Sequence, residues 1–220
     1  MGAMTIDILT IFPDMFIGPF DFSMVNRAKD LGKVKITIHN LRQWTLDSYK
    51  TVDDHPYGGG PGMIMRVDVI DRALQKVKSK TENRKLKTIL LSAKGIPFTQ
   101  KKAQQYSKLN HLILICGHYE GIDQRVADHL ADEEISIGPY VLTGGELPTM
   151  VIVDTVVRLL PGVVGDPQSL TEESHSQPRY LEYPQYTRPE TYQGWKVPKT
   201  LLSGHHAAIL KWRREHAGKI

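Results

Sequence analysis

Cysteine is nearly missing from this chain. One residue, Cys116, stands among 220, so no disulfide can staple the fold, and such thiol usage fits a reducing, cytoplasmic setting. Long apolar runs are missing too. None approaches the roughly 18–20 residues that span a bilayer, and no secretory core precedes a small-residue cleavage site, so neither a membrane nor export is expected. Two common nucleotide signatures are absent. The glycine-rich stretch Gly58 to Gly62 leads into Met63-Ile64-Met65 with no lysine to reach a phosphate, and no GxGxxG opens a helix after a strand. Histidines are present (His175, His205, His206, His216), but none has metal-ligand spacing to cysteines or acids. Residues 1–178 lack any surplus of positive charge, with 20 Lys/Arg against 21 Asp/Glu, whereas residues 179–220 hold eight against three. The excess of a +4 chain therefore lies in its last fifth, as expected of a segment that meets a polyanion or forms a solvated basic surface.

What is there is a series of short apolar runs closed by glycine. Ile89-Leu90-Leu91 leads through Ser92-Ala93-Lys94 to Gly95, Leu112 to Cys116 runs into Gly117, and Ile135-Ser136-Ile137 runs into Gly138. Such runs read as strands buried on both faces of a parallel sheet, each connection having room for one crossover helix. Ligands of open parallel sheets sit beyond the carboxyl ends of the strands. Gly95, Gly117, Gly121, Gly138, Gly144 and Gly145 fall in or near those ends, where the missing Cβ lets main-chain groups approach a ligand.

Two further strands are expected at Thr5 to Ile11 and Val34 to Ile38, with a helix at about 22–31 between them. Residues 42–66 read as irregular, and a helix covers Val67 to Val77. A basic connection follows (Lys76, Lys78, Lys80, Arg84, Lys85, Lys87), either solvated or a phosphate contact. Thr99 is placed to cap a helix to about 108. Helices are expected at about 121–131 and over Glu146 to Leu160, stopped by Pro161-Gly162, and Ser203 is placed to cap a last one at about 206–216. The fold class is thus α/β: a parallel-sheet domain over 1–164, a flexible linker over 165–178, and a small basic helical domain over 179–220.

The wording of several segments carries a resemblance. TVDDHPYGGGPGM (51–63), LSAKG (91–95), CGHYEGIDQRV (116–126), SIGPYVLTGGELP (136–148), LLPGVVG (159–165) and YPQYTRPE (183–190) together resemble the bacterial tRNA (guanine-N1)-methyltransferases, the TrmD family of the SPOUT class, over nearly the whole chain and in the family's order. The resemblance implies a sheet tied in a trefoil knot, S-adenosylmethionine as cofactor, tRNA as substrate, and a homodimer whose sites are shared between subunits. It implies methylation of N1 of the guanine 3′ to the anticodon, position 37. The resemblance alone also implies magnesium as a possible further cofactor. On it, the cofactor loops comprise Leu91, Ser92, Ala93 and Gly95; Gly117, Tyr119, Glu120 and Gly121; and Ser136, Ile137, Gly138, Tyr140, Val141, Leu142, Gly144, Gly145 and Pro148. Loop 57–63 is implied to lie near cofactor and target base. The family's tail normally continues well beyond the point where this sequence ends, so the resemblance does not carry the whole of the family's RNA grip over to 179–220. His118 stands where the family usually has arginine, and Pro139, lacking an N–H, where it has aspartate.

Methyl transfer to N1 of neutral guanine needs a base for the N1 proton and positive charge near O6. Arg158, inside the apolar VIVDTVVRLLPG, is either an i, i+4 partner of Asp154 or the O6 group; the resemblance places the family's functional arginine here. Glu173, in Thr171-Glu172-Glu173-Ser174, occupies the place of the family's aspartate and is the expected base, with Glu172 and His175 as substitutes. Cys116 and His118 read as a core thiol beside a pocket-rim imidazole rather than a nucleophile pair. In the tail, Tyr, Trp, Lys and Arg interleave, a composition suited to stacking on RNA bases and meeting phosphates, while Trp195 and Trp212 are also candidates for a small core. Two other readings use the same features: a nucleotide-dependent transferase with the same strand-end pocket, and a catalytically idle RNA-binding protein.

Overall fold

Alternate residues of the first strand, β1 (Met4–Thr10), feed two separate cores: Met4, Ile6 and Ile8 on one face and Leu9 on the other. Extended backbone sends successive side chains to opposite faces, so a strand apolar at most positions must be covered on both sides. The structure, a computed structural model, describes residues 2–79 and 85–219; Lys80 and Arg84 of the basic connection lie outside the described residues. The chain divides into two compact units, Met1–Gly165 and Asp166–Ile220.

In the first unit β1 is followed by α1 (Ser23–Asp30), β2 (Val34–Asn40), the two-residue strands β3 (Asp53–Asp54) and β4 (Ile64–Met65), and α2 (Val67–Lys78). Then come β5 (Leu86–Pro97), α3 (Gln100–Tyr106), β6 (His111–Cys116), α4 (Gln124–His129), β7 (Glu133–Ser136) and α5 (Glu146–Val157). Five strands form one parallel sheet in the order β2-β1-β6-β5-β7. Helices α1, α3 and α5 contribute to the core on one face, through Val25, Ala28, Ala103, Tyr106, Ile152 and Val156 among others. Helices α2 and α4 cover the opposite face with Val69, Ile70, Leu74, Val77 and Val126. The mixed α/β architecture and its parallel sheet are as expected from the glycine-ended runs.

The differences are local. Strand β5 continues to Pro97 because Leu91 and Ile96 both pair with Ile135, leaving the residues between them as a bulge. The helix expected from 121 starts at Gln124, since Ile122 bridges to Met65 and the Asp123 side chain accepts from Arg125 N at 3.0 Å as the cap. Helix α5 stops at Val157, and Leu159 and Leu160 close onto Val156 and Val157 in tighter turns before Pro161. Thr99 caps α3 as expected.

In the second unit β8 (Tyr180–Leu181) pairs with β11 (Gly218–Lys219), and β9 (Thr191–Tyr192) with β10 (Trp195–Lys196). Helices α6 (Lys199–Leu202) and α7 (His206–His216) complete it. The cap of α7 is His205, which accepts from Ala208 N at 3.2 Å; Ser203 instead donates to Thr200 O and closes α6. Trp212 packs against Tyr186 and His216, whereas Trp195 stays exposed beside Tyr192. Segment 165–178 contains a 3₁₀ turn, Pro167–Leu170, and main-chain bonds from His175 to Tyr180 and from Ser176 to Glu173.

Candidate active site

Strand order places the site. From β5 the chain moves inward to β6, then jumps past β5 to the far edge as β7. The loops leaving these three neighbours therefore converge on one crevice at their carboxyl ends. A cavity of about 380 Å³ opens there, within the roughly 300–1,000 Å³ usual for small-molecule sites. Leu91, Ser92 and Ala93 line it from β5; Gly117, Tyr119, Glu120 and Gly121 from β6; and Ser136, Ile137, Gly138, Tyr140, Val141, Leu142, Gly144, Gly145 and Pro148 from β7 and the start of α5. Of the expected cofactor residues only Gly95 is not in that lining. An added Cβ at Gly95 would sit 2.5 Å from Ile135 N, so this glycine is required by the bulge of β5 against β7.

The wall is shaped by backbone. Gly145 N donates to Gly117 O at 2.8 Å, and a Cβ on Gly145 would stand 2.7 Å from Cys116 Cα; no larger residue lets these loops meet. Tyr119 holds φ at +59°, a left-handed conformation uncommon for an aromatic residue and concentrated at functional sites. Ser136 Oγ donates to Gly138 O at 2.9 Å and pins the turn beyond β7. Glycines 58, 59, 60 and 62 all adopt positive φ, which accounts for their density in loop 57–63. That loop is stitched to the cavity rim: Glu120 N donates to Met63 O and Met65 N to Gly121 O, each at 3.0 Å. The Glu120 side chain lies over Gly62, where a Cβ would be 2.4 Å from Cγ.

Several lining residues escaped the sequence reading: Lys94, Ile122, Gln124, Ala127, Glu134 and Thr143. Lys94 Nζ donates to Gln124 Oε1 at 2.6 Å. Glu146, 1% exposed, accepts from the Thr10 hydroxyl at 2.7 Å. The site contains buried polar atoms that want a partner, His118 Nδ1 and Glu134 Oε1, and glycine positions that bring peptide groups to the surface. That combination suits a compact polar ligand held by hydrogen bonds from the cavity wall. Among the described residues no group of three His, Cys, Asp or Glu side chains is placed to hold a metal ion.

Cys116 is no nucleophile. It is fully buried with its thiol against Thr149 Oγ1 at 3.2 Å, and burial, then the charge of Glu146, push its ionisation above the usual thiol range. Arg158 is half-buried and forms the C-cap of α5. The cavity wall lies at the other end of this helix, thirteen residues back at Gly145, which is about 20 Å at 1.5 Å per residue. Within one chain Arg158 is therefore not brought to the cavity. Glu173 belongs to the second unit, half-buried, with its carbonyl accepting from Ser176 N at 3.0 Å.

A family model described as tRNA (Guanine-1)-methyltransferase TrmD matches residues 4–219. The chain belongs to the TrmD family. Relatives named tRNA (guanine-N(1)-)-methyltransferase include one from Dictyoglomus turgidum, 56% identical over 214 residues, covering 97% of this chain and 85% of the relative. One from Heliobacterium modesticaldum is 51% identical over 219 residues, covering 98% and 81%. Another from Pelotomaculum thermopropionicum is 50% identical over 214 residues, covering 97% and 85%. This TrmD-family chain thus shares with them a region that includes every loop of the cavity.

Proposed function

We propose that this chain methylates N1 of a guanine in tRNA, the guanine 3′ to the anticodon, with S-adenosylmethionine as donor. One observation carries the reading: three adjoining strand ends, in a chain matched almost end to end by the TrmD family, pool their loops into a single cavity walled largely by main chain. When bound there, the donor supplies an electrophilic methyl on a sulfonium. Loops 91–93, 117–121 and 136–145 hold and orient it, and Pro148 with the first turn of α5 closes the floor. Glu173 accepts the N1 proton of guanine as base. Arg158 faces the developing charge on O6 with its fixed fork of donors.

Two copies are needed for these groups to meet. The length of α5 separates Arg158 from its own cavity, so the arginine serves the cavity of a second copy. An apolar surface supports such pairing: Leu147 and Val151 on α5 are exposed, as are Phe12, Met15, Ile17 and Phe22, and the turn Pro13–Phe16 packs beside α5. A trefoil knot is supported by the way Gly145 is pressed onto Cys116 and Gly117, leaving no space for a side chain between the two loops. The basic second unit, with Arg213 over the Tyr183 ring at 4.8 Å and Trp195 exposed, is the natural face for tRNA. A reduced cytoplasm suits both the substrate and the buried thiol.

The test is single-turnover transfer from labelled S-adenosylmethionine to unmodified tRNA carrying guanine or adenine 3′ to the anticodon. Label on N1 of the guanine, and none on the adenine variant, is the expected result. Folded protein that leaves both tRNAs unlabelled would remove the proposal.

A further inference from the structure

Two carboxylate oxygens at this site are buried and have no hydrogen-bond partner, Glu134 Oε1 and Glu146 Oε2. Glu134 lines the cavity from β7. Glu146 stands just behind the wall. Its Oε1 is held by the Thr10 hydroxyl, while Oε2 lies 2.4 Å from the point a Cβ on Gly144 would occupy, and Gly144 is itself part of the lining. Neither carboxylate forms an ion pair among the described residues. The ammonium in the lining, Lys94, is exposed and engaged with Gln124. A buried acid left without a cation is costly, and the cost is offset when a positive charge enters its neighbourhood.

We propose that Glu146 and Glu134 make this cavity select a cationic ligand, the sulfonium donor, over its neutral demethylated product. The inference rests on the cofactor reading above. In the reaction the N1–H proton passes to the base and the bond from N1 to the methyl carbon forms. The sulfur–methyl bond breaks with its electron pair remaining on sulfur. The sulfonium thereby becomes a neutral thioether. Donor and product share every other atom, so sulfur charge is the property that unpartnered carboxylates can read. The same attraction, lost at transfer, favours exchange of spent product for fresh donor.

A purely structural role is the competing account, since the bond from Thr10 to Glu146 ties β1 to α5. Affinity ratios separate the two. Titration calorimetry with S-adenosylmethionine and with S-adenosylhomocysteine is run on the wild type, Glu146→Gln, Glu134→Gln and Thr10→Val. In each glutamine variant donor affinity is expected to fall about tenfold, as for the loss of one charge interaction in a partly desolvated site. Product affinity stays within about twofold. Thr10→Val keeps both carboxylates, so its ratio matches the wild type even if stability drops. An unchanged ratio, or equal weakening of both ligands in the glutamine variants, overturns the proposal. Should circular dichroism show Glu146→Gln unfolded, Glu134→Gln decides alone. A folded wild type that binds neither ligand sinks the cofactor reading itself, and this inference with it.

Discussion

At the scale of single residues, identity and position carry different amounts of information. Glu173 is an ordinary acid by composition, and only its place in the motif order suggests proton transfer. Replacing it with Gln keeps the shape and removes the proposed base, so turnover should fall about a hundredfold, in the range general bases contribute, with donor affinity unchanged by calorimetry. Methylation within about twofold of wild type would take Glu173 out of the mechanism. Gly145 is the opposite case, a residue without chemistry whose lack of a side chain decides the site. Gly145→Ala puts a methyl 2.7 Å from Cys116 Cα, so thermal denaturation should show a loss of more than about 1 kcal/mol together with weakened donor binding. Gly95 carries a lesson of its own. Its strand-end position read as ligand contact, yet the space it saves is taken by the backbone of β7, because a bulge cannot be inferred from apolar runs.

Elements were legible where period and punctuation agree. The five strands, the Thr99 cap and the extent of α2 follow from local pattern, while the start of α4 depends on Met65, which is remote in sequence. Asp7 shows why polar positions are harder. In Thr5-Ile6-Asp7-Ile8 it is a polar position in an alternating strand, yet β1 lies between β2 and β6 and Asp7 is 7% exposed. Its carboxylate accepts from His39 Nε2 at 2.5 Å and His111 Nε2 at 2.6 Å, joining three strands. Burial opposes ionisation here, but the bonds from His111 and His39 outweigh it and hold the carboxyl at about 2. A carboxyl lowered in the folded state contributes stability that is complete above its unfolded value near 4 and fades as pH drops toward 2. Glu133 repeats the pattern: burial is overcome by Lys102, Lys87 and Tyr106, and its carboxyl is held at about 2. Acid titration of stability should therefore fall steeply between pH 4.5 and 2. Asp7→Asn should flatten that limb and cost about 2 kcal/mol near neutrality; a limb of unaltered slope would show the clamp to be idle.

At the scale of the whole molecule, the separation between Arg158 and its own cavity makes a prediction about assembly. Arg158→Ala removes the proposed O6 donor, and Gly138→Val drives the Tyr140 ring out of place, since an added Cβ would lie 2.3 Å from its Cε1. Each variant alone should be nearly inactive. Refolded together in equal amounts, they should recover about a quarter of wild-type turnover, because under the proposed dimer half the pairs would be mixed and each mixed pair would hold one intact site. No recovery would mean that Arg158 acts within its own subunit or not at all. Val151→Asp, on the exposed apolar face of α5, should shift sedimentation toward the monomer and abolish turnover with it.

Strand and helix identities, the glycine-ended loops, the uneven charge and the family were all determined by local order of residues, because period, turn chemistry and motif wording are properties of neighbours along the chain. Which distant groups meet was decided by the tertiary structure: Asp7 between two histidines, Glu146 behind Gly144, Gly95 against β7. Each depends on strand order and crossover connection, which bring together residues as far apart as Thr10 and Glu146. Burial and electrostatic environment follow from that packing and leave no mark in any short stretch of sequence.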